Sequence, residues 1–141
     1  MKMNTVLETT EVENEEIEKY LSNSIMDYGI EQMDNKEPVK SFCSLKDHKG
    51  NIIGGVMGYK TLNLFFITHL HVEKQNRNNG YAKKLLSAIE NQAKLLGCNI
   101  IRLNTLNKIT SSLYSNAGFE LTNTIPNYMN GFELMYFHKH I

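Results

Sequence analysis

Cysteine, proline, charge excess and long apolar runs are all scarce in this sequence of 141 residues. The two cysteines, Cys43 and Cys98, lie in separate segments without a CxxC spacing. A chain of this size can bury a core without a disulfide, so reduced, buried thiols are expected. The two prolines, Pro38 and Pro126, mark no linker, and no repeat or low-complexity tract appears. One domain spanning residues 1–141 is therefore expected. Lys plus Arg number 15 and Asp plus Glu number 15. This zero balance argues against a nucleic-acid partner, which usually meets a basic excess. No apolar stretch approaches the length of a membrane span. Met1–Thr10 holds one Lys and no apolar run, so it does not read as a secretory signal. The expectation is a cytoplasmic protein with no membrane partner.

The composition that remains is that of a globular domain, 41% hydrophobic and 21% charged. A short strand is expected near Met3–Leu7. A helix follows from about Asn14 to Tyr28, with Asn14 as cap, Glu15 and Glu16 in the first turn and Gly29 as stop. Ile17, Tyr20, Leu21, Ile25 and Tyr28 recur at helical spacing. Ile30–Lys40 is polar and reads as a loop or short helix. Ser41–His48 and Ile52–Thr61 read as strands about a Lys49-Gly50-Asn51 turn. Leu64–Val72, apolar until His69, reads as a central strand.

The segment Glu73–Asn79 is wholly polar, and a helix follows from about Gly80 to Leu96 with one apolar stripe. Gly97 is its stop. Cys98–Thr105 reads as a strand and Lys108–Asn116 as a short helix stopped by Gly118. Phe119–Thr124 and Phe132–His138 read as strands joined by a loop through Pro126. The order predicts a parallel strand pair with a helical crossover inside an otherwise antiparallel sheet.

Val72–Lys84 carries the chemistry. A strand ends, a polar loop follows, and a Gly opens a helix whose first backbone N–H groups have no partner. That geometry suits a phosphate, with Lys83 and Lys84 adding positive charge. On the Gly alone, an ordinary strand–helix turn with a capping Asn is the favoured reading.

The fuller pattern Arg77-Asn78-Asn79-Gly80-Tyr81-Ala82 resembles the acetyl-CoA motif of the GNAT superfamily of N-acetyltransferases, Gln/Arg-x-x-Gly-x-Gly/Ala. Asn78 stands where relatives often have another Gly. Tyr114-Ser115-Asn116-Ala117-Gly118-Phe119 resembles the Tyr-x-x-x-Gly-Phe of the same family. Asn107, seven residues earlier, matches an Asn that often contacts the cofactor. Gly54–Tyr59, the Gly97-Cys98 junction and the Gly131 loop look like a bacterial branch of the superfamily that fixes no acceptor. The resemblance implies an α/β fold with a mixed, mostly antiparallel six- to seven-stranded sheet and helices on both faces. It implies acetyl-CoA as co-substrate, no metal, and an amine acceptor on a small molecule or peptide. It leaves a homodimer open. It implies a pyrophosphate held by the backbone from Asn78 to Lys83 with Arg77 beside it, and a pantetheine arm paired with the backbone of Leu70, His71 and Val72.

Acetyl transfer also needs an oxyanion donor, an acid for the leaving thiolate and a neutral amine. Backbone N–H groups near Leu70–Val72 suit the first. Tyr114 suits the second by resemblance, although a packed helix tyrosine is the plain reading. The base is open. Where many relatives carry a Glu, this chain has Phe66 and Arg102. Thr68 can at most position a water. His69 and His71 have suitable chemistry, but strand alternation turns them away from Phe66, Thr68 and Leu70 unless a bulge intervenes. His69-x-His71 and His138-x-His140 each pair two imidazoles without an evident third metal ligand. Asp27, Glu31, Asp34 and Glu37 form an acidic stretch that reads as solvated loop or as a lure for a cationic amine. A CoA-binding sensor without chemistry is the competing function. Acetylation of charged transfer RNA is disfavoured by the neutral charge.

Overall fold

The computed structural model describes residues 5–33, 38–106 and 108–141, with the side chains of residues 26–33, 108 and 109 left aside. It divides into two units, residues 1–36 and 37–141. In the first, helix α1 spans Glu15–Met33. Asn14 caps it as expected, its Oδ1 accepting from the Ile17 N–H at 3.1 Å. The helix does not stop at Gly29 but continues to Met33; a glycine inside a helix costs only about 1 kcal/mol. Residues 5–10 take no regular structure, so no strand extends to Leu7.

The second unit holds a six-stranded sheet in the order β1-β2-β3-β4-β6-β5. The strands are β1 Val39–Lys46, β2 Ile52–Thr61, β3 Leu64–Val72, β4 Ile100–Thr105, β5 Glu120–Met129 and β6 Phe132–His140. Helix α2, Tyr81–Leu95, crosses from β3 to β4, which run parallel; every other pair is antiparallel. Helix α3, Lys108–Asn116, leads to β5. Pro126 lies inside β5 rather than in a loop. Edge strands tolerate proline, and the β5–β6 register shifts between Ile125 and Met129, so no ladder bond is lost there.

The core lies between the sheet and the helices α2 and α3, on one face. Phe65, Ile89, Ile101, Leu103 and Phe137 are its largest fully buried side chains. Two lysines tie the helices to the sheet. Lys60 donates to the Leu96 carbonyl at 2.6 Å, and Lys139 reaches Glu90 Oε2 at 3.0 Å and the Ala117 carbonyl at 2.9 Å. Cys98 is buried and Cys43 partly so, and burial pushes both thiols up, as reduced packing groups.

One irregularity shapes the site. Met57 of β2 lies opposite His69 of β3, and Gly58 lies opposite Ile67, so Thr68 is an extra residue in the ladder. Beside this bulge the chains approach so closely that Gly58 has no room for a side chain. An added Cβ would overlap the Phe66 carbonyl oxygen and come within 2.6 Å of Phe65 Cε1. Neither backbone nor the fully buried ring can yield, so Gly58→Ala should cost about 3 kcal/mol or more of stability. A urea denaturation midpoint unchanged from wild type would show that the bulge absorbs the methyl.

Candidate active site

The parallel strands β3 and β4 are paired only from Leu64 to Phe66. Beyond that point they part, and the β4-facing edge of β3 is left without a strand. A cavity of about 420 Å³ occupies the gap. Its walls include Leu70 and His71 of β3, Asn104 of β4, Leu134 of β6 and Tyr114 of α3. A second cavity of about 260 Å³ lies at the helix turn, walled by Val72, Arg77, Asn78, Gly80, Lys83 and Leu113, with Tyr81 and Ala82 also at its lining. Leu113 and Tyr114 are neighbours on α3, and Val72 follows His71 on β3, so the two cavities lie next to each other along β3 and α3.

Backbone alternation decides which β3 groups face these cavities. The Glu73 N–H donates to Ile53 of β2 at 2.8 Å. The Val72 carbonyl points the other way and accepts Arg77 Nε at 3.0 Å. Neighbouring residues of an extended strand present their polar groups to opposite edges. Leu70 and Val72 therefore offer their backbone to the open edge, whereas His71 turns its own toward β2. The expectation that all three would pair with one ligand is thus narrowed to two.

At the turn, Gly80 has φ +77° and Asn78 has φ +65°. The second value explains why glycine is favoured at that position and why Asn substitutes for it: a short amide side chain tolerates the left-handed region. No side chain caps α2; Lys84 donates to the Gly80 carbonyl, and no earlier α2 amide has an intrahelical acceptor. A Cβ at Gly80 would meet nothing within 4 Å, so the space before those amides is open. Asn79 Nδ2 donates to the Asn76 and Arg77 carbonyls at 2.9 and 3.2 Å, which fixes the loop. Arg77 likewise spends its Nε on the strand end. Both side chains thus shape the turn. Amide donors, a helix N-terminus and open space fit a pyrophosphate. Asn107 lies outside the described residues, so its place is not assigned.

Tyr114 is 8% exposed. Its ring packs edge-on against Phe119 at 5.9 Å and at a tilt against Phe137 at 5.7 Å. Burial pushes its phenol up, so the proton is in place at neutral pH. Phe66 and Arg102 are direct neighbours across β3 and β4, and neither can accept a proton from an amine. The Thr68 bulge resolves the histidine question. Tyr59, Met57 and Gly55 share one face of β2, and they oppose Phe66, His69 and His71. Both histidines therefore stand on the Phe66 face, and both line the 420 Å³ cavity. His71 Nε2 lies 3.5 Å from Glu73 Oε1. His138 and His140 pack ring against ring at 5.2 Å, and no group of three metal-ligating side chains occurs among the described residues. Asp27 and Glu31 fall on the backbone of α1; Asp34 and Glu37 lie outside the described residues.

This chain is similar to known proteins over most of its length. The profile of the Acetyltransferase (GNAT) family matches residues 6–119. An acetyltransferase of Agrobacterium fabrum is 25% identical over 117 residues, which cover 83% of this chain and 84% of that protein. An acetyltransferase from Bacillus cereus has a crystal structure similar at a TM-score of 0.86, with 23% identity, covering 95% of this chain and 98% of its own. A structure assigned as a streptothricin acetyltransferase from Bacillus anthracis, in complex with acetyl coenzyme A, gives a TM-score of 0.66 at 22% identity, over 75% of this chain and 65% of that one.

Proposed function

The chain belongs to the GNAT acetyltransferase family, and from that premise we propose that it transfers acetyl from acetyl-CoA to a primary amine by direct attack. The observation that carries this reading is the pair of adjacent cavities, one at the open edge of β3 with Tyr114 in its wall and one at the free amides that follow Gly80. The amides of Asn78 to Lys83 hold the pyrophosphate, and Arg77 and Asn79 keep that turn in shape. The backbone of Leu70 and Val72 takes the pantetheine arm as an added strand. Acetyl-CoA supplies the activated acetyl group. The Leu70 N–H meets the charge that develops on the carbonyl oxygen, and Tyr114 gives a proton to the departing sulfur.

Direct attack is favoured over a cysteine-bound acetyl-enzyme, because the cavity beside Tyr114 is lined by no cysteine. A covalent acetyl-enzyme needs a strong nucleophile in that place. Initial rates of thiol release, measured against both substrates, should therefore give intersecting double-reciprocal lines. Parallel lines would indicate an acetylated enzyme and overturn direct attack. The residues Phe66 and Arg102, which offer no carboxylate base, favour a second reading, a CoA-binding sensor. Acetyl-CoA binding without thiol release on any amine of a broad panel would select that reading.

A further inference from the structure

We propose that His69 is the general base of this reaction and that Thr68 holds it in the competent tautomer. This rests on the transferase reading above. The argument starts from hydrogen-bond capacity. A threonine hydroxyl has one proton to donate. The Thr68 hydroxyl donates it to the Met57 carbonyl, which can only accept, at 3.2 Å. The same oxygen lies 2.9 Å from His69 Nδ1. With its own proton committed, it can only accept there, so Nδ1 carries the imidazole proton. Nε2 is left with a free lone pair. A bound partner on one ring nitrogen fixes the state of the other.

Location supports the same role. A pocket of about 280 Å³ lies on the Phe66 face of the sheet, walled mainly by apolar groups such as Phe42, Ile52 and Met57. His69 and His71 line both this pocket and the 420 Å³ cavity that Tyr114 walls. An amine with an apolar body seated in the pocket would present its nitrogen at this shared rim. His71 is the weaker candidate because its Nε2 is directed at Glu73. The extra residue in the ladder is what brings His69 to the rim: without Thr68, strand alternation would point it into the core.

The step balances. The ammonium form of the acceptor gives one proton to His69 Nε2. The freed lone pair forms the nitrogen–carbon bond, and the carbon–sulfur bond breaks with its electron pair going to sulfur. Sulfur takes the Tyr114 proton, and the second nitrogen proton refills Tyr114. The proton on His69 leaves to solvent. Cys43, His71, Glu73 and Tyr114 are the titratable groups that line the same two cavities.

Two measurements test the assignment. In the free protein, nitrogen-15 spectra of the neutral imidazoles should show His69 protonated on Nδ1, and Thr68→Val should shift it toward the Nε2-protonated form. In turnover of the best substrate among benzylamine, tyramine and spermidine, His69→Ala should lower kcat/KM by about 10²-fold and remove the acid-side limb of its pH profile. Its acetyl-CoA thermal shift should stay as in wild type, and added imidazole should restore part of the rate. Thr68→Val should lose about tenfold, mainly in kcat, and Thr68→Ser should recover it. A neutral His69 protonated on Nε2, or His69→Ala within threefold of wild type with the limb intact, would overturn the assignment. A wild-type protein that binds acetyl-CoA and releases no thiol with any amine of the broad panel would instead overturn the transferase reading, and the base with it.

Discussion

Tyr114→Phe is expected to lower kcat by about 10²–10⁴-fold, the usual contribution of a positioned acid. The variant loses one oxygen. Its ring keeps its contacts with Phe119 and Phe137, so the core should survive unchanged. The proton is needed only as the carbon–sulfur bond breaks, so affinity for acetyl-CoA should hardly move. Measurement of kcat with saturating amine, beside acetyl-CoA affinity by calorimetry, separates the outcomes. A kcat within threefold of wild type, with chemistry rate-limiting, would make Tyr114 a packing residue. A parallel loss of acetyl-CoA binding would make it part of the cofactor wall.

Gly80→Asp is expected to abolish acetyl-CoA binding. In wild type, acetyl-CoA at about 100 times its Kd should stabilise the fold by roughly 2.7 kcal/mol and raise Tm by about 5–10 °C. The substitution places a carboxylate in the open space before the α2 amides, where it would compete for the donors and repel a pyrophosphate. It also forces a side chain onto a backbone at φ +77°, a strain of about 1 kcal/mol. Gly80→Ala carries the strain without the charge and should keep much of the shift. Circular dichroism checks that both variants fold. An undiminished shift in folded Gly80→Asp would mean that the pyrophosphate sits elsewhere.

Most of the sheet was legible because its strands alternate or run apolar between clear turns. Ile52–Thr61, Leu64–Val72 and Lys108–Asn116 begin and end where the pattern places them. The misread ends have local causes. Gly29 is a helix stop only by propensity, and α1 passes through it. Pro126 breaks a central strand but not an edge strand with a register shift. The pyrophosphate turn was visible in Gly80, yet the left-handed backbone at Asn78 was not, since Asn signals that conformation only weakly. The bulge, named from the sequence only as an exception to strand alternation, is the most consequential feature that the pattern did not place. Its sign lies in β3 itself, where the core-facing apolar residues change from odd, Phe65 and Ile67, to even, Leu70 and Val72. That change of parity is what an inserted residue produces. The hydrogen bond from Thr68 to Met57 joins strands eleven positions apart, and no local pattern reports it.

The parting of β3 from β4 leaves a strand edge open in the middle of a sheet rather than at its rim. An open edge is a template for any extended chain, including that of another molecule. Most proteins shield such an edge with charge or brevity; here the shield would be a metabolite. On the transferase reading, the pantetheine arm common to CoA and acetyl-CoA would close that edge from within the fold.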